Sequence, residues 1–119
     1  MRKLILLIAI SVSALAASAQ NSANVTSTAL KQSKSNGVYV YKLSDNITQK
    51  EVSAAAKYYE QYFTTAFDAA KHEAKLTLTE NADIDKRVMQ RFLISLNISE
   101  VTVDGKSQPF ETVYEAYMK

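Results

Sequence analysis

The chain contains no cysteine and no tryptophan, one proline, one histidine and two glycines in 119 residues. Each shortage closes a line of chemistry. Without cysteine there is no disulfide to constrain the unfolded chain, no thiolate metal ligand, no thiol nucleophile and no redox pair. With only Gly37 and Gly105, no glycine-rich loop can bring backbone N–H groups against a phosphate. The single imidazole, His72, falls short of the three convergent ligands a catalytic metal takes, and no nucleophile stands beside it in the sequence.

An excess of charge is missing too, once the N-terminal segment is set apart. "MRKLILLIAISVSALAASAQ" has a basic start at Arg2 and Lys3, an apolar run from Leu4 to Ala16, and small residues at Ala17-Ser18-Ala19. The run is shorter than the roughly 18 residues a membrane span requires. Residues 1–19 therefore read as a cleaved export signal of the Gram-negative kind. The expected destination is the periplasm or the exterior, with no membrane insertion after cleavage. Removal leaves 119 − 19 = 100 residues, and 14 − 2 = 12 basic against 12 acidic side chains. One hundred residues suit one compact domain. A neutral domain lacks the basic footprint of a nucleic-acid binder, so that partner class is excluded.

What is present is a polar segment followed by alternating periodicities. Residues 20–36, rich in Ser, Asn, Thr and Lys, carry too little apolar surface to offset ordering and read as a flexible lead-in. The folded domain is expected over residues 37–119. "VYVYKL", Val38 to Leu43, alternates in the manner of a strand. Thr48-Gln49-Lys50-Glu51 spells a capping box, and Val52, Ala55, Ala56 and Tyr59 follow at helical spacing. A hairpin is expected next, with Phe63, Thr65 and Phe67 on one face of its first arm and Ala74, Leu76 and Leu78 on one face of its second. Asp68 to Lys71 would make the turn.

A second helix is expected from about Ala82 to Leu96, capped by Asn81, with Asp83 and Asp85 in its first turn. Its predicted buried face is Ile84, Val88 and Phe92, flanked by Met89, Leu93 and Leu96. Asn97 suits the left-handed position after a helix. "ISEVTV", Ile98 to Val103, reads as a further strand, and Asp104-Gly105 as a turn. Phe110, Val113, Tyr114 and Tyr117 form the stripe of a short terminal helix entered at Pro109.

The resulting order, β-α-β-β-α-β plus a terminal helix, predicts an α+β, ferredoxin-like sandwich: four antiparallel strands with both helices on one face. The stretch "YFTTAFDAAKHEAKLTLTENADIDKRVMQRFLISLNISEVTV", Tyr62 to Val103, resembles the hairpin, second helix and last strand of the heavy-metal-associated domain family. That family carries metal on a Met-x-Cys-x-x-Cys loop between its first strand and first helix. The corresponding stretch here, "LSDNITQKE", has no cysteine, so the resemblance carries over no metal residue and no cofactor. Of the methionines beyond the leader, Met89 sits on the second helix, where core packing accounts for it.

The functional expectation is a non-catalytic protein-interaction module, whose partner the sequence does not name. An inhibitor or chaperone-like module of the same shape is not separable from it. The alternative is a weak, non-thiolate divalent-metal binder using His72 and nearby carboxylates. If Val38 and Val40 face the helices, period two turns Tyr39 and Tyr41 to the open side of the sheet, with Tyr62 beside them. Lys75, Thr77, Glu100 and Thr102 would share that side. Tyr39, Tyr41, Tyr62, Lys75, Thr77, Glu100 and Thr102 thus form the candidate protein-binding face. Two competing arrangements stay open: the terminal helix covers these tyrosines, or the first strand has the reverse register.

Overall fold

The computed structural model describes residues 21–119, so the export-signal reading lies outside the described residues. The chain is an α+β protein built on one six-stranded sheet. In order it contains β1 (Asn21–Val25), α1 (Ser27–Asn36), β2 (Val38–Leu43), α2 (Gln49–Ala56) with a 3-10 turn at Lys57–Tyr59, and the hairpin β3 (Phe63–Asp68) and β4 (Glu73–Leu78). Then come α3 (Asp83–Ser95), β5 (Ile98–Val103), β6 (Lys106–Pro109) and α4 (Phe110–Val113), which runs into a π turn at Tyr114–Met118. Among the described residues, no helix is long and apolar enough to cross a membrane.

The strands lie in the order β3-β4-β2-β1-β5-β6. The four strands predicted from periodicity are all present, and β2 and β4 pair antiparallel as expected. The segment expected to be a flexible lead-in is instead β1 and α1. β1 is wedged between β2, to which it runs antiparallel, and β5, to which it runs parallel. Composition concealed this because one side of β1 faces solvent: Asn24 is exposed while Ala23 is fully buried between Leu43 and Val101. α1 buries only Leu30 and Ser33, so its sequence is polar by necessity. The sixth strand, β6, follows the Asp104-Gly105 turn, where both residues have positive φ (52° and 83°).

Local capping follows the sequence closely at some helices and departs from it at others. Thr48 and Glu51 form the reciprocal capping box of α2. Thr26 caps α1, accepting from the Ala29 N–H, and Gly37 ends that helix in the left-handed region. Asn97 takes the left-handed position after α3, at φ 65°. Asn81 does not cap α3. It is itself left-handed (φ 52°), and its amide donates to the Lys34 carbonyl at the end of α1, 3.0 Å away. The buried Asp85 carboxylate instead accepts from the Glu80 N–H at 3.1 Å. Ile84, assigned to the inner face of α3, is 55% exposed; Val88, Met89, Phe92, Leu93 and Leu96 are buried.

The largest correction concerns the tyrosines. Tyr39 and Tyr41 are 1% and 2% exposed, whereas Val40 is 38% exposed. Their rings stack at 6.4 Å on the helix-covered side of the sheet, and the register pairs Tyr39 with Leu76 and Tyr41 with Ala74. The strand has the reverse orientation because Leu43 shares parity with the tyrosines, while Lys42 shares it with Val40. Burying Val38 and Val40 would have drawn Lys42 inward with them. Burial raises the phenol of Tyr41, with the neighbouring Tyr39 adding to the effect, and raises Tyr39 to about 12, so both stay neutral. The Tyr39 hydroxyl is buried with no hydrogen-bond partner among the described residues.

The β5–β6 turn is tied to the start of α1 by one carboxylate. Asp104 accepts from the Ser27 N–H (3.0 Å) and the Ser27 hydroxyl (2.6 Å), which holds its carboxyl below the usual range.

Two measurements check these assignments. In urea, Tyr39→Ser should lose about 3–5 kcal/mol of stability, as for truncation of a buried aromatic, and Val40→Ser less than about 0.5. Tyr39→Phe should be neutral or gain about 1 kcal/mol, because it removes an unpaired buried hydroxyl. The stabilisation from Asp104 is present above the carboxyl's ordinary value of 3.8 and lost as pH falls through its lower folded value. Stability should therefore fall less steeply for Asp104→Asn than for wild type between about pH 5 and pH 2, measured by urea midpoints.

Candidate functional site

All the helices lie on one side of the sheet. Buried residues of α1, α2, α3 and the C-terminal turn join Tyr39, Tyr41, Leu43, Phe63, Leu76, Val101 and others in a single core. The opposite side is left open. Following the register, one polar row crosses all six strands: Asp68, Glu73, Lys42, Asn24, Thr102 and Ser107. A second row runs Ala66-Lys75-Val40, and a third Thr64-Thr77-Val38.

Of the seven residues assigned to the candidate face, Lys75, Thr77 and Thr102 occupy this open side. Glu100, also exposed, accepts from the Ser107 hydroxyl at 2.7 Å. Tyr39 and Tyr41 belong to the core, and Tyr62 is half-buried against it. The open face is therefore polar and carries no tyrosine from β2. Its apolar contribution comes from Val40 and Ala66, which line a shallow depression of about 370 Å³ with Phe67, Asp68, Glu73 and Lys75. The signal that could have found Val40 was Lys42, the one charged side chain in the β2 alternation.

The terminal helix does not cover the open side. Val113, Tyr114 and Met118 are buried in the helix-side core. The C-terminal turn is held by α3: the buried Lys86 ammonium donates to the Met118 carbonyl at 3.0 Å, a cation at a helix C-terminus. Arg87 stacks over the Tyr114 ring at 4.3 Å while pairing with Asp83 at 3.2 Å. Asp83, Asp85, Lys86 and Arg87 of α3 thus all have structural partners.

The stretch between β2 and α2 also has structural partners. The Ser44 N–H donates to the Ser22 carbonyl, and the Ser22 N–H donates to the Ser44 hydroxyl oxygen, at 3.0 and 2.9 Å. Asn46 bonds the Asn21 side chain, and Ile47 is fully buried. The loop fastens β1 to the sheet and caps α2.

His72 closes the β3–β4 turn with φ 57°, and its carbonyl accepts from the Leu43 N–H at 2.9 Å. Its ring packs edge-on to Phe67 at 5.0 Å. Asp68 accepts from the Ala70 and Lys71 N–H groups, so this carboxylate shapes the turn. Among the described residues, no three His, Cys, Asp or Glu are placed to hold a metal ion. A second groove, of about 670 Å³, lies between α2 and the end of α3, lined by Glu51, Ala54, Lys57, Tyr58 and Leu96. Tyr58 is 82% exposed there.

No family model, no curated protein and no solved structure matches this chain.

The metal-binding alternative has a direct test. Equimolar zinc or nickel should leave the thermal midpoint unchanged, because a ligand stabilises only by binding the folded state more tightly. A stoichiometric shift of the His72 ring resonances, with a raised midpoint, would establish a site.

Proposed function

We propose that the chain is an exported, non-catalytic protein-interaction domain that presents its uncovered sheet face to a partner. The observation that carries this reading is the asymmetry of the sheet. One side is sealed by four helices and their shared core, while the other offers a continuous six-strand surface. That surface mixes Lys42, Lys75, Glu73 and Glu100 with Thr64, Thr77, Thr102 and Asn24, and has Val40 and Ala66 among them. Such a polar, hydrogen-bonding surface with a small apolar centre suits a non-obligate protein contact.

The fold supports a distant likeness to the ferredoxin-like sandwich. Strands β3, β4, β2 and β5 keep the expected relative order, with β1 inserted between β2 and β5 and β6 added outside. On this reading the protein is similar to a heavy-metal-associated domain that has no thiolate loop. The place of that loop is taken by Ser44 to Thr48, which bonds β1 and caps α2. On this reading the open face binds a partner and carries out no chemistry.

The test is cross-linked capture of partners from the native periplasm, by wild type and by Val40→Asp, Lys75→Glu. The changes should leave the thermal midpoint within a few degrees, since both positions face solvent. A partner held by wild type and lost by the equally stable variant supports the open face. Equal capture by both proteins places binding elsewhere.

A further inference from the structure

We infer that the free edge of β3 is a self-association site, on which a second copy of this chain adds antiparallel to continue the sheet. The two edges of the sheet differ in kind. β6 is four residues long and carries Lys106 and Pro109, which obstruct strand addition. β3 is six residues, Phe63 to Asp68, paired without a bulge to β4 and free of lysine and proline. It has no lysine, proline or bulge to block pairing, and its one charge, Asp68, stands at its end.

The outward backbone groups can be assigned. The Thr79 N–H donates to the Tyr62 carbonyl at 2.9 Å. Bonded pairs alternate along an antiparallel ladder, so Thr64, Ala66 and Asp68 turn their backbone groups toward β4, while Phe63, Thr65 and Phe67 turn theirs to the free edge. A two-fold copy centred on Thr65 aligns every outward group: Thr65 with Thr65 of the copy, and Phe63 with Phe67 in both directions. That register makes roughly six inter-chain hydrogen bonds.

Side chains favour the same register. Thr65 shares the helix side with its cross-strand neighbour Leu76, and its hydroxyl oxygen is buried without a hydrogen-bond partner. The two-fold axis sets Thr65 opposite Thr65 of the copy, a Thr–Thr cross-strand pair of the kind that supports sheets. Phe63 and Phe67 come opposite each other; the Phe63 ring stays in its own core against Tyr59 and Phe92, and the half-buried Phe67 lies at the seam. Thr64 faces Ala66 on the open side, so no like charges are opposed. The groove running along β3 on the helix side, about 380 Å³, is bordered by Lys57 and Glu60. One cation and one anion per copy keep the junction free of net repulsion.

The proposal concerns the edge and does not depend on the open-face reading. Its test uses the purified protein, produced with its own leader. Wild type should sediment with twice the monomer mass at high concentration and dissociate on dilution. Because the chain has no cysteine, a double variant Thr64→Cys, Ala66→Cys reports the register cleanly. In the proposed dimer these positions face each other across two non-hydrogen-bonded pairs, with Cα atoms about 4.5 Å apart, within disulfide reach. With diamide as oxidant, the double variant should form covalent dimer about tenfold faster than either single variant, whose cysteines lie two residues off register. Wild type that stays monomeric at about millimolar concentration would overturn the proposal, as would equal cross-linking by the single variants.

Discussion

The structure depends on the pairing of β1 into the middle of the sheet. β2 and β5 do not pair with each other; each bonds to β1, one antiparallel and one parallel. Without those five residues the molecule would be two smaller sheets with a gap where Ala23 now sits at full burial. The contact is mostly backbone, and its side chains are small. Its strength comes from satisfied N–H and C=O groups on both sides of one strand, and from the core that the closed sheet then supports. The ties at each end belong to the same constraint: Ser44 and Asn46 hold the start of β1, and Asp104 holds the residue after Thr26 at its far end.

The helical layer is fixed by a second set of ties running from α3. Lys86 and Arg87, adjacent on that helix, secure the last residues of the chain, Lys86 through a carbonyl and Arg87 through a ring. Asn81 joins the start of α3 to the end of α1, where Gly37 is in close contact with it; a Cβ on Gly37 would lie 3.3 Å from the Asn81 side chain. The helices therefore reinforce one another on a single side of the sheet. That one-sidedness leaves the other face open, which is why we propose it as the contact surface.

The two surfaces proposed for contact are compatible. Edge pairing through β3 would extend the sheet within its plane and leave each copy's open face continuous with the other's. The enlarged face would repeat the Asp68-Glu73-Lys42-Asn24-Thr102-Ser107 row on both sides of a two-fold axis, which suits a symmetric or extended partner.

By itself the sequence determined the elements whose signals are local. The capping box at Thr48, the β3–β4 alternation, the apolar stripe of α3 from Val88 to Leu96, Asn97 after it and the Asp104-Gly105 turn depend on neighbours within a few residues, and the structure has them all. The absence of cysteine likewise decided that no thiolate site could exist. Tertiary structure decided what rests on distant partners. Asn21 to Val25 is a strand only because β2 and β5 flank it, and no window of its own sequence records them. Which face of Val38 to Leu43 is buried was settled by pairing Tyr39 with Leu76, where tyrosine and valine satisfy a strand equally well and only Lys42 gave a hint. The candidate face lost Tyr39 and Tyr41 for that reason. Period two assigns residues to two faces, but only the helices that pack on one of them decide which face is the interior.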